Sequence, residues 1–352
     1  MPQTDRPIIL ATRGSPLALA QSNQMLAACR EAFPELRFEL RIIKTTGDRL
    51  QKASMANPAA NLPKGLFTKE LEVALLANEA DFAVHSLKDL PTELPTGLVL
   101  GAVPGREDVR DALIYRSELG AVWQPAVGEG GEPAEPVPPR RHYPAGLTLD
   151  ELPKGATIAT SSTRRREQLL ACRRDLKIVE IRGNVGTRLE KLLRQPELDG
   201  MLLAAAGLKR LGYELRPDGS LACRSSHDSG DDAPVQEVPE FRVSLLGLDV
   251  MLPCVGQAAL GIEVRADDER MAAVCRRLNH EPSHQCVTAE RAFLHAMGGG
   301  CQSPVAAHAE LVGDRLRLRA VSFRTGERRV GERSGPATDA GEIGKAMAGE
   351  LM

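Results

Sequence analysis

Short apolar runs alternating with segments of helical period constrain this chain more than any other feature. Pro7 to Thr12, Arg37 to Lys44 and Asp81 to His85 read as strands, as do Ala156 to Ser161, Leu176 to Ile181 and Met201 to Ala206. Between them lie helix-period stretches: one opened by Ser15-Pro16, one carrying Phe67, Leu71, Ala74 and Leu75, one over Thr163 to Cys172, and one carrying Val185, Leu189, Leu192 and Leu193. That alternation is the grammar of α/β units around a mainly parallel sheet. Ser15 suits an N-cap and Pro16 the first helical position. The last part changes character: a helix from Ser283 to Met297, three glycines and Cys301, three strand-like runs between Val305 and Arg333, and a closing helix. It reads as a separate α+β module. At 352 residues the chain has room for two or three domains.

Composition removes several classes of partner. Lys plus Arg number 45 against 47 Asp plus Glu, so no global field draws the chain to nucleic acid or a membrane surface. Aromatics are 3% of residues, with Trp123 the single tryptophan, which argues against a base-stacking platform. No apolar run approaches transmembrane length, and Ile8 to Ala11 is too short for a signal peptide, so a cytoplasmic protein is expected. The seven cysteines (Cys29, Cys172, Cys223, Cys254, Cys275, Cys286 and Cys301) form no C-x-x-C pair and none of the zinc spacings; reduced thiols and no metal are expected. Two stretches resist both helix and strand: 123 to 144, with six Pro and three Gly, and 214 to 240. Both read as solvent-facing excursions.

Three strand-turn-helix junctions concentrate hydroxyls and arginines: Thr12-Arg13-Gly14-Ser15, Thr160-Ser161-Ser162-Thr163-Arg164-Arg165, and Arg182-Gly183-Asn184-Val185-Gly186-Thr187-Arg188. Helix N-termini offer unpaired N–H groups and partial positive charge, and arginine forks add donors, so each junction favours carboxylate or phosphate. Capping with solvated arginines accounts for any one of them; three together point to an anion site beyond the strand ends. No P-loop and no strand-linked G-x-G-x-x-G accompanies them. Asp89, in Val84-His85-Ser86-Leu87-Lys88-Asp89, follows a strand end as a candidate catalytic carboxylate, against the plainer reading of a surface Lys-Asp pair. Cys301 follows Gly298-Gly299-Gly300, which lets a ligand approach its thiol, whereas Cys29, Cys172 and Cys275 fit buried helical roles. The histidines at 280, 284, 295 and 308 show no ligand spacing.

Taken together, ATRGSPLALAQ (11 to 21), KGLFTKELEVALL (64 to 76), DFAVHSLKDLP (81 to 91), IRGNVGTRLEKL (181 to 192), AAGLKRLG (205 to 212) and GGGCQSP (298 to 304) resemble the porphobilinogen deaminase, or hydroxymethylbilane synthase, family in the family's order. The resemblance implies a transferase of haem, chlorophyll and cobalamin biosynthesis that joins four porphobilinogen molecules head to tail and releases ammonia. It implies a dipyrromethane cofactor held covalently by Cys301, with Lys88, Ser162, Arg164, Arg165 and Arg188 binding that cofactor. Asp89 would be catalytic, and Arg13, Ser15, Arg182, Phe67 and Lys64 would meet substrate, under a mobile loop matched by Lys44 to Pro63. The chemistry agrees: every added unit brings an acetate and a propionate, which arginine forks bind bidentately. Loss of ammonia leaves an electron-poor azafulvene whose positive nitrogen needs a carboxylate nearby.

The implied fold is two α/β domains resembling type II periplasmic binding proteins around a cleft, plus a small C-terminal α+β domain. The implied boundaries are 1–105 with 257–276, 106–256 with insertions near 117–147 and 214–240, and 277–352. The chain would cross between the large domains near Arg106 and Val255-Gly256-Gln257, with Ala258 standing where the family usually has Gly. A monomer is implied, with no nucleic-acid or membrane partner. The alternative from another class is a non-catalytic anion-binding protein of the periplasmic-binding-protein type, against which the presence of both Asp89 and Cys301 argues.

Overall fold

A computed structural model describes residues 6–45, 68–118, 141–224, 235–300 and 303–352. The chain divides into two units, one of Met1–Val109 with Leu252–Met352 and one of Arg110–Met251. The first unit begins with β1 (Ile8–Arg13), α1 (Pro16–Ala32), β2 (Phe38–Ile43), α2 (Lys69–Leu76), β3 (Phe82–Ser86), a 3-10 turn over Leu87–Asp89, and β4 (Leu98–Ala102). The start of α1 follows from its sequence: the Ser15 hydroxyl accepts from the Ala18 amide at 3.3 Å, and Pro16 sits where no backbone donor is needed.

The second unit contains β5 (Asp111–Arg116), β6 (Thr157–Ala159), α3 (Thr163–Cys172), β7 (Lys177–Val179), α4 (Val185–Arg194), β8 (Gly200–Ala204), α5 (Ala205–Arg210), β9 (Tyr213–Leu215), β10 (Ser220–Arg224) and β11 (Val235–Leu245). Its sheet runs β7-β6-β8-β5-β11-β10-β9. Alternation along β5 feeds two cores: Ala112 and Ile114 join Leu189 and Leu192 of α4, while Leu113 and Tyr115 join Leu169 of α3.

The strand expected over Met201 to Ala206 stops at Ala204, and Ala205 and Ala206 are helical. A larger correction concerns 214 to 240, expected to be an excursion. Its described residues lie mostly in strands β9, β10 and β11, and Phe241 and Val243 of β11 are core residues. Pro217-Asp218-Gly219 is only the turn joining β9 to β10, with Gly219 at φ +76°. The register slips between Ser220 (opposite Arg242) and Ala222 (opposite Glu237). Pro239 therefore falls in an irregularity where its missing N–H breaks no ladder. In the other proline-rich stretch, residues 119–140 are outside the described ones. Tyr143 near its end is buried, however, and its hydroxyl donates to Asp199 Oδ1 at 2.6 Å.

The chain returns to the first unit as β12 (Leu260–Arg265), α6 (Glu269–Leu278), α7 (Glu281–Ala296), β13 (Val305–Val312), β14 (Arg315–Ser322), β15 (Arg329–Pro336) and α8 (Ala340–Leu351). The first sheet runs β2-β1-β3-β12-β4, with β1 parallel to β2 and β3, and β12 antiparallel to β3 and β4. The sheet is therefore mixed rather than mainly parallel, because a strand from a distant part of the chain enters in the opposite sense. The second sheet repeats the pattern, with β7, β6 and β8 parallel and β5 inserted antiparallel between β8 and β11. The two sheets thus share one order, three parallel strands and then a reversed strand from elsewhere in the chain. The three-stranded β13-β14-β15 sheet packs on α7 and α8 around its own core of Phe293, Leu316, Leu318, Met347 and Leu351. No helix among the described residues is long and apolar enough to cross a membrane.

Candidate functional site

In the first unit, Arg13 ends β1, Ser15 caps α1, and Lys88 and Asp89 lie in the turn that follows β3. Because β1 and β3 are parallel neighbours, paired at Leu10 with Phe82 and Ala11 with Ala83, their carboxyl ends emerge along one sheet edge. Gln21 of α1 ties the arrangement together, donating from Nε2 to Ser86 Oγ at 2.8 Å while that hydroxyl lies 3.0 Å from Gln21 Oε1. Asp89 is exposed and Lys88 half-buried.

The turn itself is held firmly. Leu87 is buried, its amide donates to the Ala259 carbonyl at 3.0 Å, and the Leu90 amide closes on Leu87 O at 3.2 Å. Gly256, at φ +71°, passes so close that a Cβ there would lie 3.2 Å from Leu87 Cγ and 3.3 Å from the Lys88 nitrogen. Two residues on, Ala258 takes φ +69°, a left-handed conformation that a side chain disfavours. Sequence reasoning missed two buried pairs around this turn. His85 Nε2 meets Glu263 Oε2 at 2.9 Å, and Arg106 donates through Nη1 and Nη2 to the two oxygens of Glu290 at 2.7 and 2.9 Å. Glu290 also accepts from the Gly256 and Ala309 amides, each at 2.8 Å.

In the second unit, two helix starts are strapped side by side. Ser162 caps α3 and Asn184 caps α4, accepting from the Thr187 amide at 2.8 Å. The Ser161 hydroxyl donates to Ile181 O at 2.7 Å and accepts from the Ile181 amide at 3.1 Å, binding the two turns together. Arg188 donates from Nε to Gly183 O at 2.8 Å, and burial, then the nearby Arg165, push its pKa below the usual guanidinium value. Arg182 is exposed and pairs with Glu180 at 3.2 Å.

Arg164 and Arg165 are buried and both reach Asp111, a residue that sequence reasoning did not single out. Arg165 places Nε and Nη2 on Asp111 Oδ1 at 3.1 and 2.7 Å and Nη1 on Leu202 O at 3.0 Å; Arg164 Nη1 bonds Asp111 Oδ2. Burial alone would raise the Asp111 pKa, but the two guanidiniums outweigh it and hold the carboxyl well below the usual carboxylate range. An acid opening the apolar run Asp111–Arg116 was the available signal. Arg165 thus has all three of its guanidinium nitrogens bonded within the fold.

Lys64, Phe67 and Cys301 lie outside the described residues. Around Cys301, Gly298 takes φ +61°, Gly299 N donates to Leu294 O at 3.1 Å, and Gly300 N donates to Ser303 Oγ at 3.0 Å. A Cβ on Gly299 would come within 2.7 Å of Ser303 Oγ and 2.8 Å of Leu294 Cδ1, so position 299 is built for glycine. Three other cysteines are poor nucleophiles: burial pushes the Cys29 thiol up to about 12 and those of Cys275 and Cys286 up to about 11, whereas Cys172, expected to be buried, is exposed at the end of α3. Among the histidines, His280 caps α7, its Nδ1 2.9 Å from Ser283 Oγ, and His284 Nδ1 lies 2.9 Å from Asn279 Oδ1.

The donor set, arginines at two coupled helix starts capped by Ser162 and Asn184, suits a ligand carrying several carboxylates, as a dipyrromethane does. Residues 8–273 match the family model described as "Porphobilinogen deaminase, dipyromethane cofactor binding domain", and residues 284–352 match "Porphobilinogen deaminase, C-terminal domain". Curated proteins named porphobilinogen deaminase align nearly end to end. That of Syntrophomonas wolfei is 38% identical over 99% of this chain and 95% of its own length. Those of Geobacter sulfurreducens and Desulforudis audaxviator are 39% and 40% identical, over 97% and 99% of this chain and 90% and 94% of theirs.

Proposed function

The chain belongs to the porphobilinogen deaminase family, and from that premise we propose how its residues divide the work. It is a transferase of tetrapyrrole biosynthesis that condenses four porphobilinogen molecules head to tail into hydroxymethylbilane, releasing ammonia. Its cofactor is dipyrromethane, which supplies the primer from which the chain of pyrroles grows.

In our reading Cys301 anchors the primer through a thioether. Ser162 and Arg188, at the coupled starts of α3 and α4, bind its carboxylates, with Lys88 contributing from the Leu87–Asp89 turn. Arg164 and Arg165 act by charge and by fixing the α3 start, because their bonds to Asp111 hold them in place. Arg13, Ser15 and Arg182 receive substrate carboxylates, and Lys64 and Phe67 border the reacting unit. Asp89 attacks nothing: it places a negative charge beside the pyrrole nitrogen that becomes positive as ammonia departs. Support for that role comes from a carboxylate that is exposed yet carried on a turn pinned by Ala259 and crowded by Gly256, so charge is offered without reorganisation. We further propose three domains, 1–105 with 257–276, 106–256 and 277–352, acting as a cytoplasmic monomer.

Single-turnover condensation on cofactor-loaded protein tests the assignment. Asp89→Asn keeps the size and a hydrogen bond but not the charge, so its rate should fall by roughly 100-fold or more at unchanged substrate affinity. Asp89→Glu should fall between wild type and Asn. An Asn variant running at wild-type speed would remove Asp89 from the mechanism.

A further inference from the structure

One helix carries both the route to the anchoring cysteine and a clamp on the catalytic turn. Val287, Arg291 and His295 lie four residues apart along α7 and so share one face. That face runs along the segment containing Asp89. Val287 is fully buried in a cluster with Leu87, Leu90, Val103 and Ala259. One turn on, Arg291 donates from Nη1 to the Leu90 carbonyl at 3.1 Å and from Nη2 to the Pro91 carbonyl at 2.6 Å. Beyond it, His295 Nδ1 stands 3.9 Å from Glu93 Oε1. The helix ends at Ala296, five residues before Cys301.

The two carbonyls that Arg291 holds belong to the residues immediately after Asp89. They lie between the 3-10 turn and β4, outside any strand ladder. A forked guanidinium holding two successive carbonyls fixes the direction in which the chain leaves the turn, a constraint that a point charge such as lysine does not impose. The adjacent Glu290 meanwhile grips Gly256, whose backbone crowds Leu87 and Lys88.

We infer that Arg291 is a positioning residue for the condensation: by clamping the Leu90 and Pro91 carbonyls, it fixes where the Asp89 carboxylate stands. The inference rests on the assignment of Asp89 and Cys301 above. It concerns rate rather than affinity, because Arg291 is placed to aim a charge and not to hold substrate. A misplacement of about 1 Å costs on the order of 100-fold.

The experiment is a double-mutant cycle on cofactor-loaded protein. Arg291→Gln, Arg291→Lys, Asp89→Asn and the Arg291→Gln/Asp89→Asn pair are compared by intact mass, thermal midpoint and steady-state and single-turnover kinetics. Arg291→Gln should load the cofactor, keep KM within about twofold and lose roughly 10- to 100-fold in kcat, and Arg291→Lys should recover part of that loss. In the Asp89→Asn background the Arg291→Gln loss should largely vanish, since a misaimed charge costs nothing once the charge is gone. A purely structural arginine would instead give independent, multiplying losses, and that result overturns the inference. So does wild-type kcat in Arg291→Gln while Asp89→Asn is slow. If Arg291→Gln does not fold, Arg291→Lys carries the same cycle with a smaller expected effect. Wild-type speed in Asp89→Asn itself overturns the reading of Asp89, and this inference with it.

Discussion

Replacing Asp111 with Asn should destabilise the unit of residues 110–251 severely, in a way that acid abolishes. Asp111 is fully buried and carries the charge opposite two buried guanidiniums, accepting two bonds from Arg165 and one from Arg164. Asn preserves the volume but removes the charge, and its amide nitrogen turns donors toward donors. Breaking a buried pair by removing one partner costs about 3–5 kcal/mol, since the remaining charge is left uncompensated. At about 2–4 °C per kcal/mol for a unit of this size, the melting transition should fall by roughly 6–20 °C near neutral pH. The pH dependence follows from the direction of the shift. The folded pKa of Asp111 lies below its unfolded value near 4, so its stabilising contribution is complete above about pH 5 and fades as the pH falls through that value toward the folded one. Calorimetric melts of wild type and Asp111→Asn at neutral pH and in steps below pH 4 should therefore converge on acidification. A variant melting within about 2 °C of wild type at neutral pH would refute the reasoning, as would a gap that stays constant into acid.

Ala258→Gly should stabilise the protein by about 1 kcal/mol, because Ala258 holds φ +69° where glycine is strain-free; a denaturant midpoint at or below that of wild type would contradict this. Replacing residues 123–140 with a short Gly-Ser turn should leave turnover within about twofold of wild type, whereas extending the replacement through Tyr143 should destabilise the protein by removing its bond to Asp199. Loss of activity in a well-folded 123–140 variant would show that the segment takes part in the reaction.

What the sequence made legible was local, and what it hid was long-range. Ser15-Pro16, Ser162 and Asn184 stand at the helix starts where capping chemistry puts them, and Thr163 to Cys172 forms a helix with those ends. By contrast, the insertion of β12 between β3 and β4 and of β5 between β8 and β11 depends on pairings far apart in the chain, which periodicity does not record. The same holds for Asp111 with Arg164 and Arg165, for Arg106 with Glu290, and for Arg291 with Leu90, separated by 201 positions. The segment from 214 to 240 reads as an excursion because Pro217, Gly219 and Pro239 are breakers by composition. In the fold two of them form a hairpin turn and the third sits in a register slip. Arg165 reads from the sequence simply as a cation at a helix start, because its carboxylate partner lies on a strand 54 positions away.

The most direct test of the central claim, a covalently primed transferase, is the intact mass of the purified protein. Wild type from a host that makes tetrapyrroles should carry two extra pyrrole units, mapped by peptide analysis to Cys301, and Cys301→Ser should carry none and be inactive. An unmodified wild-type protein that still makes hydroxymethylbilane, or pyrrole units mapped to the exposed Cys172, would contradict the account.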